Sequence, residues 1–192
     1  MRTPTPRPRK QGEERMTAAA EPIDGDTDES SNFHRISLYV KNEPGVLARV
    51  AMVFSRRGYN IESLVVNSAA RSGYSRMTIT SSGDPTILEQ MIKQLAKLID
   101  VVHAIDHTGD EAYETEIALI KLKCDSEERH EILQIVEHFG AKVVDFGRQS
   151  LVVRVYGSSE KLDAIRNLLA KFEISEIVRS GKILMARGGA TT

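Results

Sequence analysis

Residues 42–60, NEPGVLARVAMVFSRRGYN, decide how the chain is read. They spell the end of a strand, a tight turn, a helix and the opening of a second strand. Pro44 suits the first helical position, where its missing N–H costs nothing. Gly45 removes a side chain beside the helix start, and the unpartnered N–H groups there suit a small anion such as a carboxylate. Val46, Leu47, Val50, Ala51, Val53 and Phe54 repeat at helical spacing, so one face is apolar. Gly58 can stop the helix, and Asn60 opens the next strand.

Working outward, the stretch HRISLYVK before this turn sets Ile36, Leu38 and Val40 against polar neighbours, the alternation of a half-buried strand. NIESLVVNSA and YSRMTITSS follow as two more strands, joined by turn chemistry at 70–73. Asp84 caps a helix that begins with Pro85 and keeps its apolar period through Ile87, Leu88, Met91, Ile92, Leu95, Leu98 and Ile99. DVVHAIDHT closes the unit. The order is β-α-β-β-α-β, the split βαβ or ferredoxin-like arrangement.

The order then repeats. YETEIALIKLKC is a strand, and Ser126 caps a helix carrying Ile132, Leu133, Ile135, Val136 and Phe139, ended by Gly140. AKVVDFGR and SLVVRVYG form a hairpin, Ser158 starts a helix with Leu162, Ile165, Leu168, Leu169 and Phe172, EISEIVRSG is a strand, and KILMAR adds one more. The fold class is therefore α+β, with two ferredoxin-like domains in tandem at 33–109 and 110–188. Residues 1–32, rich in Pro, Arg, Thr, Glu and Asp, bury too little apolar surface to offset their ordering entropy and read as a disordered tail. Each unit has one sheet covered by two helices on one face, which predisposes such domains to pair.

The rest of the composition narrows the function. A net charge of −1 with dispersed signs gives no case for nucleic acid. The third strand, YSRMTITSS, lacks the aromatic pattern of an RNA-binding sheet. The single cysteine, Cys124, excludes an internal disulfide framework and reads as a structural thiol in a reducing compartment. No apolar run approaches the ~20 residues of a membrane span, the N-terminus lacks a secretory pattern, and cytoplasm is the default location. There is no phosphate loop, dinucleotide fingerprint or GxSxG. His103 and His107 would stand about 13 Å apart on a strand, too far to chelate one ion, and surface positions account for all five histidines. No catalytic site and no cofactor of its own are expected.

The turn at 42–47 is different. Its helix start suits a carboxylate, Asn42 and Asn60 can donate and accept, and Val46, Leu47 and Ile61 can wall an aliphatic side chain. Taken from the residues alone, both an amino-acid site and an ordinary strand–turn–helix junction stay open.

NEPGVLARV resembles the opening signature of ACT domains, small ferredoxin-like modules that bind amino acids and regulate enzymes. FSRRGYNIESLVV, SRMTI and LEQMIKQLAKLIDVV, followed by EIALIKLKC, AKVVDFG, GSSEKLDAI and IVRSGKILMARG, resemble the regulatory small subunits of acetolactate synthase (acetohydroxyacid synthase) over about residues 34–188. The resemblance implies a non-catalytic chain in branched-chain amino acid biosynthesis. Such a chain activates a separate catalytic large subunit, which carries thiamine diphosphate, Mg²⁺ and usually FAD, and makes it sensitive to valine. It also implies a homodimer through ACT domains, with valine between Asn42, Gly45, Val46 and Leu47 of one chain and Asn60 and Ile61 of the other. Pro44 stands where some relatives have Ser, within the wider ACT pattern. The alternative on the same fold is a free-standing amino-acid sensor acting on another enzyme or a transcription factor.

Overall fold

The computed structural model describes residues 33–109, 112–189 and Thr192; the expected tail at 1–32 lies outside the described residues. The N-terminal unit runs β1 (Phe33–Lys41), α1 (Val46–Arg56), β2 (Asn60–Ser68), β3 (Tyr74–Ser82), α2 (Pro85–Leu95) and β4 (Val101–Asp106). Its four strands pair antiparallel in the order β2-β3-β1-β4, so consecutive β1 and β2 are not neighbours and β2 is left at an edge. Both helices cover one face. Ile36, Leu38 and Val40 of β1 and Met77 and Ile79 of β3 meet Val46, Val50 and Phe54 of α1 and Leu88, Met91 and Leu95 of α2. These are the residues that the two-residue and helical periods mark as apolar. The opposite face is mixed: it buries Ser37, Thr78 and Thr80 and carries Tyr39, Val65 and Ile105 beside them.

The C-terminal unit repeats the plan: β5 (Ala112–Lys123), α3 (Glu128–His138), β6 (Lys142–Phe146), β7 (Ser150–Gly157), α4 (Ser159–Leu169) and β8 (Glu173–Arg179). The sheet order is β6-β7-β5-β8. The added strand read at KILMAR is β9 (Ile183–Ala186), which pairs with the first residues of β5. Cys124 is buried in this unit's core beside Leu122 and Ile132, as a structural thiol. The two ferredoxin-like units are thus built in tandem from one topology.

Four local expectations are corrected. Helix α1 begins at Val46, so Pro44 precedes the cap instead of occupying the first helical position. The cause is Gly45, which takes a left-handed φ of 84° that only glycine adopts without cost. Helix α2 stops at Leu95, and Ile99 is 87% exposed. Short turns from Gln94 and Leu95 reverse the chain there and let Lys41 N–H donate to Asp100 O at 2.8 Å. Helix α3 is capped by Asp125, whose Oδ1 accepts from both Glu127 and Glu128 N–H at 2.8 Å, and not by Ser126. A carboxylate makes the stronger, charge-assisted cap. Finally, His34 and His107 are buried structural groups, bonded through Nε2 to Gly83 O and to the Ser37 hydroxyl, both at 2.8 Å.

One buried charge pair secures the C-terminal unit. Glu116, 5% exposed, accepts from the Ser159 hydroxyl at 2.7 Å and from Arg179 Nε and Nη2 at 2.9 and 2.6 Å. Arg179 Nη1 also reaches Asp163 Oδ1 at 2.8 Å. Burial disfavours the Arg179 charge, but Glu116 and then Asp163 outweigh it and hold the guanidinium above the ordinary arginine range. Glu116→Ala leaves that guanidinium without its main partner. Because Arg179 is partly solvated, the expected loss is about 2 kcal/mol in urea unfolding, below the full value for a buried pair.

Candidate functional site

The turn after β1 presents donors. Gly45 is the N-cap of α1 and no side chain caps the helix; Val46 N–H makes a long 3.4 Å bond to Glu43 O, and the amides that follow it have no side-chain cap. Arg49 stands one turn further on, and helical side chains tilt back toward the N-terminus. A Cβ placed on Gly45 would lie 3.2 Å from Arg49 Nη1, so the guanidinium borders the turn directly. Arg49 Nε is held at 2.7 Å by Oδ2 of Asp100, a residue only 4% exposed, which leaves the other guanidinium N–H groups toward the turn. Asn42 is exposed, and its N–H donates to Gly73 O at 2.9 Å. Leu47 is exposed beside it. Helix dipole, open amides and a guanidinium converge, so the surface favours a carboxylate.

The start of β2 presents acceptors. Asn60 Nδ2 donates to Glu62 Oε1 at 2.9 Å, and the Ser82 hydroxyl donates to the same oxygen at 2.9 Å. Those bonds, Asn60 first, hold the Glu62 carboxyl below the usual carboxylate range, so it is ionised at neutral pH. With its amide nitrogen engaged, Asn60 keeps its carbonyl Oδ1 to accept from an ammonium, beside Glu62. Ile61 is half-buried and packs on the core.

Of the six residues read from sequence, the structure groups Asn42, Gly45, Val46 and Leu47 at one end of the sheet, and Asn60 and Ile61 at the other. The Val46 side chain is 2% exposed in the core, so Val46 reaches the surface only through its backbone. Asn60 pairs with Ser82, and Ser82 with Phe33, whereas Lys41 pairs with Tyr74. The eight residue-to-residue steps of β1 between these ends, Phe33 to Lys41, span about 26 Å at ~3.3 Å each. One chain therefore cannot close both groups on one small molecule.

Arg49, Asp100 and Glu62 were missed by sequence reading. Arg49 had a usable signal, its i+4 spacing from Gly45. Asp100 had none, because only the fold brings it to α1. A hydrogen-bonded Ser–His pair, Ser37 with His107, invites a catalytic reading, but the two residues are 1% and 2% exposed and out of reach of a dissolved substrate. Among the described residues no group of three or more His, Cys, Asp or Glu could hold a metal ion, and no helix is long and apolar enough to cross a membrane.

Residues 36–103 match the family model of the acetohydroxyacid synthase (AHAS) small subunit-like ACT domain, and residues 115–188 match that of the small subunit of acetolactate synthase. A probable acetolactate synthase small subunit of Archaeoglobus fulgidus is 43% identical over 155 residues, covering 81% of this chain and 97% of its own. The acetolactate synthase small subunit of Mycolicibacterium smegmatis is also 43% identical, over 81% of this chain and 91% of its own. Among solved structures, the acetolactate synthase small subunit of Thermotoga maritima superposes with a TM-score of 0.75 at 37% identity, over 82% of this chain and 99% of that one.

Proposed function

The chain belongs to the family of acetolactate synthase small subunits, and from that premise we propose that it activates a separate catalytic subunit and makes it sensitive to valine, bound between two copies of this chain. The observation that carries the reading is the opposite polarity of the two half-sites. Donors gather at 42–49 and acceptors at Asn60 and Glu62, the complement of an amino-acid zwitterion. Leu47 and Ile61 suit its aliphatic side chain.

Strand β2 supplies the means of bringing the halves together. It is a nine-residue edge strand with one charged residue, Glu62, an exposed ladder open to pairing. Its C-terminal end reaches the donor turn, because Ser68 pairs with Ser75, Ser75 with Val40, and Asn42 is bonded to Gly73. Two β2 strands related by a two-fold axis run antiparallel. Asn60 and Ile61 of one chain then lie beside residues 42–47 of its partner.

Valine stabilises one dimer geometry, and inhibition follows where that geometry activates the catalytic subunit less. A differential of about 1–3 kcal/mol suffices and is reciprocal for binding. On this reading thiamine diphosphate, Mg²⁺ and FAD belong to the catalytic chain, which joins two pyruvates, or pyruvate and 2-oxobutyrate. The test is a calorimetric valine titration of the purified chain, followed by acetolactate formation by the catalytic subunit with and without it. Stimulation that valine reverses is expected; a catalytic subunit indifferent to the chain contradicts the reading.

Asn60→Ala removes the carbonyl acceptor and one of the two hydrogen bonds that orient Glu62. The expected outcome is a roughly tenfold rise in the valine Kd, the worth of one or two hydrogen bonds. An unchanged Kd would remove Asn60 from the site.

A further inference from the structure

We propose that residues 180–182, between β8 and β9, form the element through which effector binding on β2 is felt by the C-terminal unit; the proposal rests on the effector reading above. Strand β2 carries Asn60, Ile61 and Glu62 at its start, and just beyond them Ser63 and Val65 meet Gly181. A Cβ placed on Gly181 would stand 3.0 Å from Val65 Cγ2 and 3.3 Å from Ser63 Cβ. Gly181 adopts φ 79°, so the backbone itself lies against β2 in a conformation other residues resist.

The two sides of this contact are held differently. Ser180 N–H donates to Ile117 O at 2.9 Å, and its hydroxyl accepts from Ile117 N–H at 3.0 Å, which fixes the segment to β5. Lys182 lies 3.6 Å from Glu114, which also pairs with Arg35 of β1. Toward β2 the contact of Gly181 is packing alone. The β2–β3 register slips between Ile61 and Ser63, so the strand is irregular between its effector end and this contact. Beside it an open cleft of about 870 Å³, lined by Arg35, Glu62, Ser63, Glu114, Arg179 and Gly181 among others, separates the two units. A displacement of β2 on closing over valine is therefore passed by contact to a segment locked onto β5, with room for the units to reorient.

Gly181→Val places a branched side chain in the contact and lifts the segment from β2. Glu114→Gln weakens the neighbouring ion pairs without touching glycine geometry. In the complex of the full chain with its catalytic subunit, both variants should bind valine within about twofold of the parent Kd by calorimetry and still stimulate. The extent of inhibition should fall instead: residual activity at saturating valine should rise about tenfold over the parent's for Gly181→Val and about threefold for Glu114→Gln, a coupling loss within the usual allosteric range. Parent-like inhibition in both variants, with valine still bound, overturns the coupling role alone. A parent chain that binds no valine overturns the effector reading, and this proposal with it.

Discussion

Gly45→Asp is expected to abolish valine inhibition of the reconstituted complex while leaving its maximal stimulation within about twofold of the parent. On the proposed reading the new carboxylate occupies the surface that receives the effector's carboxylate and competes for Arg49, whose Nη1 lies 3.2 Å from the introduced Cβ. Two like charges about 4 Å apart near a protein surface repel by about 4 kcal/mol, close to a thousandfold in affinity. The left-handed φ of 84° adds strain, which Asp tolerates better than most residues. Gly45→Ala separates the two causes, since it brings the strain without the charge and should weaken valine by no more than about tenfold. Valine titrations of acetolactate formation read both. Retained full inhibition in Gly45→Asp removes the helix start from the effector site.

The second large effect is on activation. A fragment of residues 1–110 should still bind valine but give no more than about a tenth of the parent's maximal stimulation, as when an interface loses its central contacts. The two sheets share no strand, so the cut leaves β2-β3-β1-β4 and its core whole. It removes the partner of Arg35, Glu114, and the contact of Gly181 with β2. It also removes a sheet face on which Ile117 and Leu119 of β5 stand exposed opposite Tyr156 and Val178. Contiguous apolar surface of that kind marks an interaction site. Undiminished maximal stimulation by the fragment would place activation in the N-terminal unit instead.

Much of this architecture is legible in the sequence because its signals are local. The alternation of Ile36, Leu38 and Val40 and the helical period of Val46, Val50 and Phe54 each name a face without reference to anything distant. Asp84 before Pro85 and Ser158 before α4 state their helix starts in the same way. The failures occur where backbone conformation or a distant residue decides. Pro44 looks like a helix opener until the left-handed Gly45 moves the start, and Asp125 outcompetes Ser126 only once the backbone has turned. Ile99 fits the helical period, yet the return of Asp100 to β1 takes it out of the helix. The candidate site divides along the same line. Its donor turn can be read from PG and Asn42, and Glu62 follows Asn60 at the two-residue strand spacing, but Asp100 behind Arg49 and the length of sheet between the halves exist only in the fold.

That separation makes the central claim, one effector site built from two chains, directly testable by complementation. Gly45→Asp spoils the donor half and Asn60→Ala the acceptor half. A heterodimer of the two variants holds one doubly spoiled site and one intact site. Co-expressed under two different tags and purified on both, it should bind valine with parent affinity at about half the parent stoichiometry, although neither variant homodimer does. A purified heterodimer that binds valine no better than the two homodimers would contradict a site shared between chains.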